Sequence, residues 1–256
     1  MPRIAKTDVN RALEMAANRI KDAGGADGRG LPLEGMGRQG PHDDRRALGL
    51  PALASFAYTT RAPRLDIHGP AGTADLVHGL WQVMGPSARI RMVEQHIPRR
   101  PEEFAVAHEF VAGPIFDDGT VRVSAVTNCH YDLPPGSPAA ANLSYSLRFE
   151  GGGRSVVFTG DTGPCPAVAA LARGADVLVS EMASHADREA VPPFVRPHMD
   201  REHLSPLEVG KLAAAAGVTT LVLTHIGVAD EGDLAVIRSV FKGRVVLGAD
   251  LARIPL

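Results

Sequence analysis

Three apolar runs that read as buried strands each lead to a residue able to bind a metal. VRVSAVTNC leads into His130, SVVFTG into Asp161 and TLVLT into His225. Strands buried on both faces need helices or a second sheet over them. Loops at the ends of such strands are where α/β proteins place ligands. Each residue alone has a plainer reading. A histidine at a strand end is often a structural hydrogen-bonding group, and an aspartate in Gly-Asp-Thr-Gly is often a turn former. The case rests on the order and surroundings of the three together.

The rest of the chain supports alternation of strands and helices. Residues 143–149, 155–159, 176–180, 221–224 and 245–247 read as strands, and 166–173, 206–216 and 233–241 as helices. Upstream, PALASFAY is helical, LDIHGP is a short strand and TADLVHGLWQVM is a second helix. Residues 90–93, 104–111 and 121–126 read as strands, with Asp117-Asp118-Gly119 as a hairpin turn between the last two. Val9, Leu13, Ala16 and Ile20 form one helical stripe. Residues 24–49, rich in Gly and Arg, carry almost no periodic apolar signal. This divides the chain into an N-terminal segment, 1–49, made of a helix and a low-pattern loop, and one domain over 50–256.

Composition narrows the function classes. With 256 residues and 45% hydrophobic content the chain can bury a sizeable core. A formal net charge of -2 argues against sequence-independent nucleic-acid binding. The two cysteines, Cys129 and Cys165, are too few for a disulfide framework and form no CxxC zinc motif. The first residues lack the apolar core of a secretory signal, and no apolar run is long enough for a membrane span. A cytoplasmic protein acting on a small molecule is expected.

The stretches VVFTGDTGPCPAVAALARGADVLVSEMA and REHLSPLEVGKLAAAAGVTTLVLTHIG resemble the second half of metallo-β-lactamase-fold hydrolases of the ribonuclease Z and arylsulfatase-like branch. The resemblance covers roughly residues 50 to 256. It implies a four-layer αβ/βα sandwich, an α/β (α+β) fold, with Asp161 bridging metals and His130 and His225 as further ligands. It implies zinc, one ion or two, with manganese or iron as alternatives. By the same resemblance His203 contacts the scissile group or donates a proton, and Glu181 orients it. Beside His203, Ser205 reads as a helix cap.

One motif is missing. Where the family carries His-x-His-x-Asp-His, this chain has GPHDDRRALGLPAL, with Pro41, Asp43, Arg45 and Arg46 at the expected positions and His42 between them. Two arginines there repel a cation, although His42, Asp43 and Asp44 offer substitute donors. The family's opening strands are not evident in residues 1–49, so the first sheet is open to being incomplete.

Two functions follow. One is a metal-dependent hydrolase of an ester, lactone, phosphodiester or sulfate ester. The other is a catalytically silent member that keeps the fold for binding or assembly, as a monomer or homodimer. Processing of tRNA is disfavoured, because no basic excess or recognisable tRNA-binding arm is present.

Overall fold

The computed structural model describes residues 49–256, apart from Pro63, Asp132, Val228, Asp250, Leu251, Arg253, Pro255 and Leu256. The N-terminal helix, the low-pattern loop and the Pro41–Arg46 stretch lie outside the described residues. Those described fall into two compact units that meet in sequence between Val111 and Ala112.

In the first unit, helix α1 (Gly49–Thr59) leads to strand β1 (Leu65–Gly69), helix α2 (Thr73–Glu94), a single turn α3 (Pro101–Phe104) and strand β2 (Ala105–Glu109). β1 and β2 pair in parallel, Leu65 opposite Ala105 and Gly69 opposite Glu109. Leu65, Ile67, Val77, Leu80, Met84 and Phe104 are among the residues of their common core. Glu109 caps α2 from the neighbouring strand, its Oε1 accepting the Gly72 and Ala74 N–H groups at 2.8 and 3.0 Å.

Residues 90–93, expected as a strand, are the last turn of α2. The helix runs through Pro86, which normally costs about 3 kcal/mol in a helix interior. Leu80, Met84 and Ala88 are buried at intervals of one turn across the proline, and their burial outweighs that cost. Ile90 and Val93 are exposed. The apolar run that suggested a strand is the solvent side of a helix.

The second unit is a seven-stranded sheet of order β3 to β9 in sequence: β3 (Gly113–Asp117), β4 (Val121–Thr127), β5 (Tyr145–Gly151), β6 (Arg154–Phe158), β7 (Val177–Glu181), β8 (Thr220–Thr224) and β9 (Arg244–Leu247). β3 to β6 are antiparallel neighbours, and β6 to β9 run parallel. The turn at Asp117–Gly119 joins β3 to β4. The strand expected over 104–111 is instead β2, in the other sheet, and β3 is the arm the pattern did not reveal. Its Pro114 and the register shift beside it break the alternation that would have marked it.

The helices of this unit are α4 (Pro166–Ala172), α5 (His185–Ala190), α6 (Arg196–Glu202), α7 (Pro206–Ala216) and α8 (Glu231–Val240). One face of the sheet, through Val157, Leu178, Leu221 and Leu223, packs in one cluster with Ala172 of α4, Val209 and Ala213 of α7 and Ile237 of α8. β7 is buried on both faces, which is why VLVSE carries no alternation. Among the described residues no helix is long and apolar enough to cross a membrane.

Candidate active site

Strand direction brings the sequence-separated residues together. β4 is antiparallel to β5, and β5 to β6, so β4 runs the same way as β6, β7 and β8. Their C-terminal ends therefore share one edge. His130 follows β4, Asp161 follows β6, Glu181 ends β7 and His225 follows β8.

Asp161 is fully buried, and His225 Nε2 lies 3.1 Å from its Oδ2. His225 takes a left-handed backbone, φ 53°, an uncommon state for a residue with a side chain. His130 is buried, and its ring sits 5.2 Å from that of His203, centroid to centroid. The Nδ1–H of neutral His130 donates to the Glu202 carbonyl at 3.1 Å, which leaves Nε2 as the lone-pair nitrogen. Burial holds the His130 pKa below that of a free histidine, against the Glu202 carbonyl and the Asp161 charge, so the ring is neutral near pH 7.

Glu181 is the hub of the second pair. Its Oε2 lies 3.1 Å from His203 Nδ1, and its Oε1 accepts the Leu204 N–H at 2.8 Å and the Thr162 N–H at 3.4 Å. Burial raises the Glu181 pKa, and the hydrogen bond and charge of His203 pull it back. Burial also works against a charged His203, yet the bond to Glu181 and the carboxylate charge hold its pKa above the ordinary value. With Nδ1–H committed to Glu181, Nε2 is the nitrogen left to meet a substrate. Ser205 caps α7 as expected, its Oγ accepting the Glu208 N–H and Glu208 reaching back to the Ser205 N–H.

Several residues absent from the sequence reading build this frame. The buried Asn128 amide donates to the Thr159 and Asp161 carbonyls at 3.1 and 3.2 Å, tying the end of β4 to the end of β6. Thr162 Oγ1 accepts the Cys129 N–H at 3.1 Å, and Gly163 N–H donates to the Cys129 carbonyl at 3.2 Å. A Cβ on Gly163 would fall onto the Arg201 carbonyl, so glycine lets the end of α6 close on this turn. α6 itself supplies the Glu202 carbonyl that holds His130. His198 Nδ1 pairs with the buried Glu202 carboxylate at 3.0 Å. A disulfide joins Cys129 to Cys165, with Cα atoms 5.5 Å apart. Ser184-x-x-Asp187 was a legible cap signal for α5; nothing local announced Asn128.

His130, Asp161 and His225 are donors of the kind zinc takes, and the His130 tautomer suits a ligand. As placed, the three do not form a group that could hold an ion. Among the described residues no group of three or more His, Cys, Asp or Glu could hold a metal ion. The first-motif positions lie outside those residues.

The family model described as the beta-lactamase superfamily domain matches residues 42–226. Ribonuclease Z of Mycobacterium tuberculosis H37Rv is 32% identical over 195 residues, spanning 74% of this chain and 68% of that protein. The metallo-beta-lactamase fold protein YhfI from Bacillus subtilis superposes with a TM-score of 0.58 at 18% identity, covering 89% of this chain and 75% of that one. The short form of human tRNase Z does so with a TM-score of 0.57 at 19% identity, covering 89% and 79%. By family match and by fold alike, this chain belongs to the metallo-β-lactamase superfamily of hydrolases, in the branch that holds ribonuclease Z.

Proposed function

We propose that this chain hydrolyses a phosphodiester or a related ester, lactone or sulfate ester, with His203 as the proton donor or oxyanion contact. The observation that carries the reading is the Glu181–His203 pair, 3.1 Å apart, beside His130 and Asp161 at one sheet edge. A carboxylate-held imidazole with a raised pKa keeps its proton to higher pH than a free one, and its second nitrogen is left for a substrate. From Nε2 it gives a proton to the oxygen that leaves as the ester bond breaks. Glu181, still hydrogen-bonded at Nδ1, keeps the ring oriented and stabilises its charge until that transfer.

The relatives named ribonuclease Z favour a phosphodiester as the bond cleaved. The net charge of -2 favours a small molecule over tRNA as its carrier. Zinc, or manganese or iron, with His130, Asp161 and His225 among its ligands would supply activated water and polarise the oxygen that gains charge. The described residues do not complete that ligand set, so further donors are part of this reading. The silent-member alternative draws on the same shortfall.

A panel of bis(p-nitrophenyl) phosphate, a p-nitrophenyl ester, a lactone and an aryl sulfate, with and without added zinc or manganese, tests the proposal. Turnover of one substrate that His203→Ala abolishes supports it. No turnover of any, with metal present, leaves the silent member as the answer.

A further inference from the structure

The Cys129–Cys165 disulfide sits at the hinge of the site, away from the core. Cys129 directly precedes His130. Cys165 ends the turn that begins at Asp161 and stands at the N-cap of α4. The bond closes a stretch of 36 residues that contains β5 and β6. Neither cysteine belongs to the apolar cluster that α4, α7 and α8 make with the sheet. Cys129 is exposed and Cys165 half-buried, so a thiol in solution reaches the bond.

The contacts around it are uneven. On the strand side, the Asn128 amide, the Cys129–Thr162 bond and the Gly163–Cys129 bond already hold residues 128–129 against 159–163. On the far side the described residues from His130 to the start of β5 are turns and irregular backbone. The disulfide adds a covalent tie between Cys129, at the head of the His130 loop, and Cys165, at the end of the Asp161 turn. Solvent-accessible disulfides outside a core are the labile and regulatory ones. In reducing compartments those that form mostly sense redox state.

We infer that the Cys129–Cys165 disulfide is a reversible redox clamp on this site, fixing the His130 loop to the Asp161 turn when oxidised and releasing it when reduced. A dithiol of the thioredoxin or dithiothreitol class is the reductant. Its thiolate attacks the Cys129 sulfur and displaces the Cys165 thiolate, which takes a proton. The donor's second thiol then resolves the mixed disulfide and frees Cys129. The donor supplies two electrons and two protons and ends as a disulfide; an oxidised dithiol or glutathione disulfide reverses the exchange. This inference stands on the disulfide's position alone and needs no hydrolytic activity.

Hydrogen–deuterium exchange of the full chain before and after dithiothreitol tests it, with thiols counted by maleimide labelling. Protein isolated without reductant should carry no reactive thiol, and dithiothreitol should expose both. Exchange at the Cys129 and Gly163 amides should then rise roughly tenfold or more while β7 and β8 stay protected. Glutathione disulfide should restore the first state. A Cys129→Ser/Cys165→Ser protein should match the reduced form with or without dithiothreitol. Free thiols in air-exposed protein, or unchanged exchange on reduction, would overturn the clamp. Loss of protection throughout β7 and β8 would overturn it too, since the bond would then be a staple of the whole fold.

Discussion

His203 Nδ1 meets Glu181 Oε2 at 3.1 Å, and Glu181 is all but shut off from water. An imidazole facing a buried carboxylate keeps its proton to higher pH than a free one. Glu181→Gln removes the charge and keeps a hydrogen-bonding amide. The His203 pKa, followed by NMR titration, should fall by about one to three units in that variant. An unchanged value would detach Glu181 from the role given to it.

A protonated His203 as acid makes activity fall as pH rises through its raised pKa. The alkaline limb of kcat should move to lower pH in Glu181→Gln. His203→Ala should lose about 10²–10⁴ in kcat with little change in KM, as expected for a group that acts in the transition state. Loss confined to KM would make His203 a binding residue.

His130 titrates in the opposite sense. Burial depresses its folded pKa, so the unfolded chain binds a proton that the folded one refuses. Its contribution to stability is therefore present above the free-histidine pKa and is lost as pH falls below it. Urea midpoints between pH 7.5 and 5 should drop less steeply in His130→Gln than in the parent chain. The same slope in both would place the acid sensitivity elsewhere.

Gly163→Ala drives a methyl group into the Arg201 carbonyl at the end of α6. Overpacking of this kind costs about 1–3 kcal/mol. Because α6 also supplies the Glu202 carbonyl to His130, the variant should lose activity beyond what its stability loss explains. Chemical denaturation and steady-state kinetics on the same preparation check both.

The sequence made the parallel half of the second sheet readable, because β6, β7 and β8 are continuous apolar runs that stop at polar loops. It also marked Asp161 and His225 by the ends of β6 and β8, and His130 by the end of β4. α5 and α6 went unread since each is a turn or two long, with little buried face. β3 went unread because Pro114 interrupts it. Asn128 and the Glu202 carbonyl were beyond reach in principle. Asn128 matters through backbone carbonyls that β4, β5 and β6 pairing brings near it, and the Glu202 carbonyl through the close approach of α6 to the Gly163 turn; a backbone carbonyl has no residue-type signature. Residues 90–93 resemble a strand because Ile90 and Val93 are apolar, yet both lie on the solvent side of the last turn of α2.

Elemental analysis of the purified chain, compared with Asp161→Ala, bears most directly on the central claim that His130, Asp161 and His225 belong to a working metal centre. The account predicts bound zinc, manganese or iron in the parent chain and its loss in the variant, with hydrolysis lost alongside. A parent chain free of metal after incubation with each ion and dialysis, or one whose metal content Asp161→Ala leaves unchanged, would contradict it.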